Sequence, residues 1–528
     1  MKVLLKISIV LLVLILFVAI ITKVYIEPRL EKKIQAEVNS GNTNYIVEIE
    51  KVNIDIFKSM MEVDGITFSP SPKQQGSIDL SGNMGSIKLT GIKLLKAVFK
   101  HEIYIDELVF SKSSINGKIK SSDRPVPPKV SPFKISIGRL LFDQFDLTMT
   151  NDSTGQDYSV KNGILEIFGL QVSKLDTLEP DLITLFDFEA EELKLVPSHK
   201  MYSWFIRGIN YSGTLNTLAI DSFLIKPEYE DYDFTSRFKF QKNHIEATIS
   251  DIYVHDFYLD SYFNPKIIES RYTEIGEMNM KVFRDKRKEF SHQKRPAFQD
   301  LLYDIPATIR IDSINLLKGN ITLKIHEEEA KEPGIIIFNE INAKLCNLTN
   351  DTIYKKQNAF LELYADALLM GKSSLSVQLK GELFDRNNAF LVSGKLSALD
   401  IKDLNPILEN NAFIYASGKI DAMNFSFDAD NIKSTGKLTM LYKGLDITVK
   451  DKRTDDTTAL KSRFFTFIAN RRILDSNPDK GEDIRVGTID YERDPEKFLF
   501  HYCFRSILTG IISTVSKNEK NSKRIVDD

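Results

Sequence analysis

Ile135-Ser-Ile-Gly-Arg-Leu-Leu-Phe142, followed by Leu147 and Met149, carries an apolar pattern that recurs once more in this chain. Its apolar residues recur at nearly every second position, the spacing of a half-buried β-strand and not the 3.6-residue period of a helix. The second copy is Ile309-Arg-Ile-Asp-Ser-Ile-Asn-Leu316, followed by Ile321 and Leu323, at a constant offset of 174 positions. An Arg-Pro loop precedes each copy, Asp123-Arg124-Pro125 and Lys294-Arg295-Pro296. An apolar strand follows each, around 164–175 and 335–345. Alternating strands resemble one another by nature, but the matched flanking loops favour duplication. A duplicated strand unit normally stacks into an elongated body.

Outward from these copies, further alternations bounded by Gly, Asn, Asp and Pro predict strands at 45–56, 87–95, 102–110, 374–383, 389–396 and 434–449. Helical patterns are few: 28–38, 92–99, a turn at 401–408, and one near the C-terminus. The chain therefore reads as mainly β. An N-terminal transmembrane helix is followed by an elongated, twisted β-sheet groove built from repeated modules, with few short helices.

The first residues are of another kind. Val3 to Ile21 is apolar except for Lys6 and Ser8, and includes Ile9, Leu12, Leu14, Leu16, Val18 and Ile21. A bilayer core takes ~20 residues of helix. A cleaved signal peptide is the other reading, but after Ala19 the chain continues Ile20-Ile21-Thr22-Lys23-Val24-Tyr25-Ile26, with no small-residue cleavage site. An uncleaved anchor is expected. Lysines flank the span on both sides, so charge leaves its orientation open; most of an N-terminally anchored protein normally lies across the membrane.

The parse is 1–26 signal anchor, 27–44 membrane-proximal helix, 45–210 first β module, 211–350 second β module, 351–450 C-terminal β unit, and 451–528 terminal strand, amphipathic helix and basic tail. With 528 residues, 42% of them hydrophobic, the chain can bury ample core. A formal charge of −3 gives no reason to expect nucleic acid. Cys346 and Cys503 form no disulfide framework, and two free thiols or a single bridge remain as readings. G-x-S-x-G, H-E-x-x-H, Walker A and G-x-G-x-x-G motifs are all missing, so neither an enzyme nor a cofactor is expected. His326-Glu-Glu-Glu329 reads as a solvated hairpin tip. Arg284-Asp-Lys-Arg-Lys288 reads as an exposed loop of mixed charge, with anionic headgroups as its functional alternative. The sole tryptophan, Trp204, suits core packing better than a membrane interface.

Val52-x-Ile54-x-Ile56, Gly65-Ile66-x-Phe68, Gly394-Lys-Leu396, Leu404-Asn-Pro406, Ser417-Gly-Lys-Ile-Asp421 and Gly436-Lys-Leu-Thr-Met-Leu-Tyr-Lys-Gly-Leu445 together resemble the AsmA-like superfamily. This includes the AsmA- and TamB-type proteins, anchored in the inner membrane of Gram-negative bacteria with their bulk in the periplasm. The resemblance implies a sheet curled into an apolar groove, similar to bridge-like lipid transfer proteins, with phospholipid or another acyl lipid as partner. The motifs are strand-and-turn signatures and carry no catalytic group.

Elementary physics agrees with a groove. Strands laid across a long axis add about 4.8 Å each, so ~25 to 30 of them would reach roughly 120 to 145 Å. Alternation gives each strand one apolar face, on which an acyl chain hides surface at ~25 cal/mol per Å². Candidate floor positions are Leu375, Val377 and Leu379, or Leu438, Met440 and Tyr442, with the inward parity undecided. From Phe498, Leu499, Tyr502, Leu508, Ile511, Ile512 and Val515 fall near helical spacing, and a basic tail follows. This helix reads as a cap on the last strand or as an interfacial or partner-docking element. A conduit that binds and conducts phospholipid between the inner and outer membranes, supporting the outer membrane, is thus the expected function, with a non-enzymatic membrane-anchored scaffold or assembly factor for envelope proteins as the alternative. A continuous open groove favours the first and a closed core the second.

Overall fold

The computed structural model describes residues 21–39, 45–72, 78–93, 102–120, 134–172, 183–258, 266–353, 360–450, 473–479 and 481–517. The anchor positions Ile9, Leu12, Leu14, Leu16 and Val18, the first Arg-Pro loop, most of the 92–99 pattern and most of the basic tail lie outside these residues. Ile21 opens the first described helix. No helix among the described residues is long and apolar enough to cross a membrane.

The chain is mainly β, with twenty strands and a few helices among the described residues, and divides into two compact units. One comprises Met1–Leu215 with Ala219–Asp221, the other Asn216–Leu218 with Ser222–Asp528. The first holds β1 (Tyr45–Asp55), β2 (Met60–Pro70), β3 (Ile78–Thr90), β4 (Glu102–Ile119), β5 (Lys134–Asn151), β6 (Gln156–Val172), β7 (Leu185–Val196) and β8 (Tyr202–Ser212). They pair in chain order and antiparallel, except that β5 runs parallel to β4, with Ile135 opposite Ile103.

Strand β9 (Thr217–Pro227) straddles the division and pairs with β10 (Asn243–His255). The second unit continues with β11 (Ile267–Asp285), β12 (Thr308–His326), β13 (Gly334–Thr349), β14 (Phe360–Leu369), β15 (Ser373–Glu382), β16 (Phe390–Leu396), β17 (Leu399–Asp400), β18 (Ile414–Ala429), β19 (Lys433–Val449) and β20 (Val486–Glu492). Here β12 runs parallel to β11, with Ile309 opposite Ile268, and antiparallel to β13.

The two copied stretches thus hold matching places. Each pairs in parallel with the strand before it and antiparallel with the strand after it. Register irregularities fall at Phe142/Phe145 and Phe145/Leu147 in one copy and at Leu316/Gly319 and Gly319/Ile321 in the other, the same 174-residue offset. The partner strands repeat their left-handed residues too: Asn162 and Gly169 on β6 (φ 48° and 64°), Glu340 and Asn347 on β13 (φ 49° and 60°). Bulges at fixed places bend and twist a sheet. Ile135, Ile137, Leu140 and Phe142 join one apolar cluster although the spacing slips from two to three after Ile137, where the left-handed Gly169 lies opposite on β6. A parallel junction needs a crossover of a dozen residues or more, and the Lys294-Arg-Pro296 loop lies in the second one.

Both end strands have their free edges covered by a helix. Helix α1 (Glu27–Asn39) lies along β1. Glu27 and Glu31 accept hydrogen bonds from the backbone N–H groups of Ile56 and Ile54 at 3.0 and 2.9 Å. Gln35 donates to the carbonyls of Ile49 and Glu50. Three side chains at four-residue spacing therefore satisfy the edge that an unpaired strand would offer to another chain. Ile34 adds an apolar contact to the cluster of Ile49, Val52 and Ile66.

The short helices α2 (Asp231–Ser236), α3 (Phe298–Tyr303) and α4 (Asn405–Asn411) sit in connections of the second unit. Helix α5 (Leu499–Val515) covers β19 and β20. On the edge strand β20 the N–H groups of Thr488 and Asp490 donate to the hydroxyls of Ser513 and Thr509 at 3.0 and 3.3 Å. The most deeply buried core lies here, around Phe427, Leu438, Tyr442, Ile489 and Tyr502.

Candidate functional site

The floor candidates separate into two environments. Leu438, Met440 and Tyr442 alternate on β19, and all three point into the core beneath α5. Leu438 and Tyr442 have no exposed surface and Met440 retains 3%. The Tyr442 hydroxyl donates to the Leu474 carbonyl at 3.2 Å, and burial pushes its phenol pKa up to about 12. The buried Asn477 amide ties the covering segment down by donating to the carbonyls of Met440 and Arg485. These three positions are closed core, because a helix and a strap lie where a groove would have to be open.

Leu375, Val377 and Leu379, on β15, are only partly buried against that core. Leu379 opens into a small apolar cleft lined by Leu361, Leu383, Phe390 and Leu499, with Gln299 and Gly381 at its wall. Strands β14, β15 and β16 form its floor, and the first turn of α5 closes one side.

The first unit carries its apolar face differently. Ile105, Ile137, Leu140 and Leu170 are buried, and around them Ile103, Leu108, Phe110, Ile135, Phe142 and Ile167 are only partly buried. Phe110 and Phe142 stack with centroids 4.6 Å apart across the parallel junction. The described helices make their main contacts on strands other than β4, β5 and β6, while Ile183 adds a partly buried contact to this cluster. Polar pairs decorate the strands between: Arg139 bridges Glu107 and Glu166 on the neighbouring strands.

Helix α5 is mounted with its small, polar side toward the sheet. Tyr502, Ser506, Thr509, Gly510 and Thr514 are buried, and Ser506, Thr509 and Thr514 return their hydroxyl protons to carbonyls of the helix itself. Phe500 and Phe504 are instead 62% and 52% exposed. Of the apolar residues that marked this helix in the sequence, only Tyr502 and Val515 are buried. Burial pushes the Cys503 thiol up to about 12, which leaves it protonated and unreactive, and both cysteines are free.

Three sequence expectations need correction. His326 is buried, not a solvated tip: its Nδ1 meets the Tyr232 hydroxyl at 2.8 Å and its Nε2 the Ala330 carbonyl at 2.9 Å. The 284–288 run begins inside β11. Asp285 there is buried and grips Arg287 through two hydrogen bonds, and Arg284 donates to Gln241. Trp204 is 37% exposed on β8 and is not a core residue. Among the described residues no group of three or more His, Cys, Asp or Glu side chains is placed to hold a metal ion.

His501 is held well below the usual histidine range, at about 4, first by burial and then by the charges of Arg505 and Lys497. Above pH 6.5 the ring is neutral in both folded and unfolded chains and contributes nothing. As pH falls through 6.5 the unfolded chain takes up a proton that the folded chain refuses until about pH 4. Stability is therefore lost across that window, by up to about 3 kcal/mol. His501→Gln should flatten the fall in urea-unfolding stability between pH 6.5 and 4; an unchanged slope would assign the acid sensitivity elsewhere.

Compared with models of known protein families the chain finds no match, and compared with curated proteins it finds none.

Proposed function

We propose that this chain is a membrane-anchored β-groove protein of the AsmA-like kind, which holds acyl lipid on the partly buried apolar face of β4 to β6. In this reading it stands in the inner membrane with its bulk in the periplasm, and it conducts phospholipid between the inner and outer membranes. The observation that carries the proposal is the partly buried face of Ile103, Leu108, Phe110, Ile135 and Phe142, away from the main contacts of the described helices. Apolar area left in water costs ~25 cal/mol per Å², and an acyl chain laid along that face removes the cost without any polar partner.

The closed core around Leu438, Met440 and Tyr442 favours the second reading, a non-enzymatic scaffold for envelope proteins, at that end of the chain. Lipid mass spectrometry on the detergent-purified full chain decides between them. Phe142→Asp puts a carboxylate on the β4 to β6 face, and co-purified lipid should fall about tenfold or more while circular dichroism and membrane association hold. Unchanged lipid in this variant, or none in the unaltered chain, gives the scaffold reading the field.

A further inference from the structure

Lys497, His501 and Arg505 follow one another at four-residue spacing, into and along α5. Lys497 and Arg505 flank His501 with positive charge, which together with burial keeps its ring neutral down to about pH 4. The crossover from β11 to β12 packs against the same segment: the Arg295 N–H donates to the Pro495 carbonyl at 2.7 Å, Arg493 donates to the Arg295 carbonyl, and the Lys497 ammonium sits 3.3 Å from the centre of the Phe290 ring. Arg284 and Lys286, at the end of β11, bring two more positive charges to bear on Lys497.

Acids offset this cluster only in part: Asp494 and Glu496 favour the Lys497 ammonium through their charge, but among the described residues neither forms an ion pair with it. Glu327 is taken by Lys286 and Asn411, Glu496 accepts from His292, and Asp494 accepts from the backbone of Glu496. Arg284 meets only the amide of Gln241, and among the described residues Lys497 and Arg505 form no ion pair. His501 Nδ1 and Arg505 Nε are buried with no hydrogen-bond partner. A buried charged donor without an acceptor is costly to keep, so the arrangement lacks an anion.

Beside it lies apolar surface. Phe498 and Phe500 are exposed, and Leu499 between them lines the cleft that contains Leu379. We propose that Lys497, His501, Arg505 and Arg284 hold the phosphate of a lipid headgroup, with the acyl chains leaving along the Phe498 and Leu499 side. This rests on the lipid-carrier reading and adds to it the place in the fold where the headgroup phosphate is held. Guanidinium and ammonium donors suit a phosphate's several acceptor oxygens, whereas a neutral headgroup would leave the cluster as repulsive as before.

The test uses the full chain in nonionic detergent with three probes: dihexanoyl phosphatidic acid, inorganic phosphate and monooleoylglycerol. The double variant Lys497→Gln/Arg505→Gln should bind the phosphatidic acid about tenfold or more weaker than the unaltered chain, each lost charge-assisted contact counting. Monooleoylglycerol binding should not change. Without any probe the variant should melt no lower than the unaltered chain, since repelling charges have been removed; Lys497→Gln alone gives a smaller loss by the same reading should the double variant fold poorly. Phosphatidic acid binding equal in variant and unaltered chain overturns the headgroup site, as does inorganic phosphate binding as tightly as the lipid, which would make this a free-anion site. A chain that takes neither lipid probe overturns the lipid-carrier reading itself, and one that takes the neutral probe but gains nothing from the phosphate overturns only the headgroup site.

Discussion

Leu438→Asp should unfold the core around α5, while Phe142→Asp leaves its own unit folded. Both replace an apolar side chain on an alternating strand by the same carboxylate, and the difference lies in what covers them. Leu438 has no exposed surface and sits under Gly510 of α5, where an added Cβ would lie 2.8 Å from the leucine's own Cβ. An aspartate there has neither water nor a cationic partner, and the cost is roughly 4 kcal/mol or more, enough to consume much of a domain's stability. Phe142 is only partly buried, so water reaches its replacement and the loss should stay near about 2 kcal/mol. Hydrogen exchange resolves the two cases: β18, β19, β20 and α5 should lose protection together in Leu438→Asp, and β4, β5 and β6 should keep theirs in Phe142→Asp. Equal loss in both variants would mean that the face of β4 to β6 is as closed as the core beneath α5.

The same contrast explains what could be read from residue order and what could not. The copied strand was legible because the apolar spacing of two, with its slips to three, survives in both copies. The slip after Ile137 faces the left-handed Gly169, and the slip from Phe142 to Phe145 coincides with a register bulge and the left-handed Gln144. That β4 and β5 run parallel was not legible, since alternation is the same for a strand paired in either direction. Nor could alternation separate Leu438 from Phe142: period two says that one face is apolar, and only the placement of α5 says which face is closed. The Glu27, Glu31, Gln35 spacing was visible, but without the edge of β1 opposite it, it reads as an ordinary solvated helix face.

Helix α5 misled for a physical reason as well. Its apolar residues outweigh its polar ones, and an apolar stripe normally marks the buried side. The signal for the inverse mounting was a second stripe, Ser506, Gly510 and Thr514, whose small side chains let backbone approach backbone, with Gly487 opposite on β20. Close approach there brings the hydroxyls of Thr509 and Ser513 within reach of the strand edge, and it leaves Phe500 and Phe504 facing outward next to the cationic cluster.

Gly487→Val should therefore displace α5 as a unit. A Cβ at position 487 would meet the Gly510 carbonyl oxygen and the Thr514 hydroxyl oxygen, each at 2.3 Å, and the first of these is helix backbone that cannot rotate away. The helix has to move outward, and three consequences follow. Leu438 and Ile489, now without exposed surface, lose the atoms packed on them, at a cost of about 3 kcal/mol by the usual price of opening a core. The N–H groups of Thr488 and Asp490 lose their hydroxyl acceptors, so β20 becomes a bare edge able to pair with another chain. His501 leaves the burial that depresses its pKa and should titrate nearer 6.5, the value of a free histidine. Limited proteolysis should cut within 499–515 at neutral pH, light scattering should show self-association, and Gly487→Ala should show the same changes in weaker form. A Gly487→Val chain that stays monomeric, resists protease and keeps its acid-sensitive stability would show that α5 is held by its ends and not by this glycine contact.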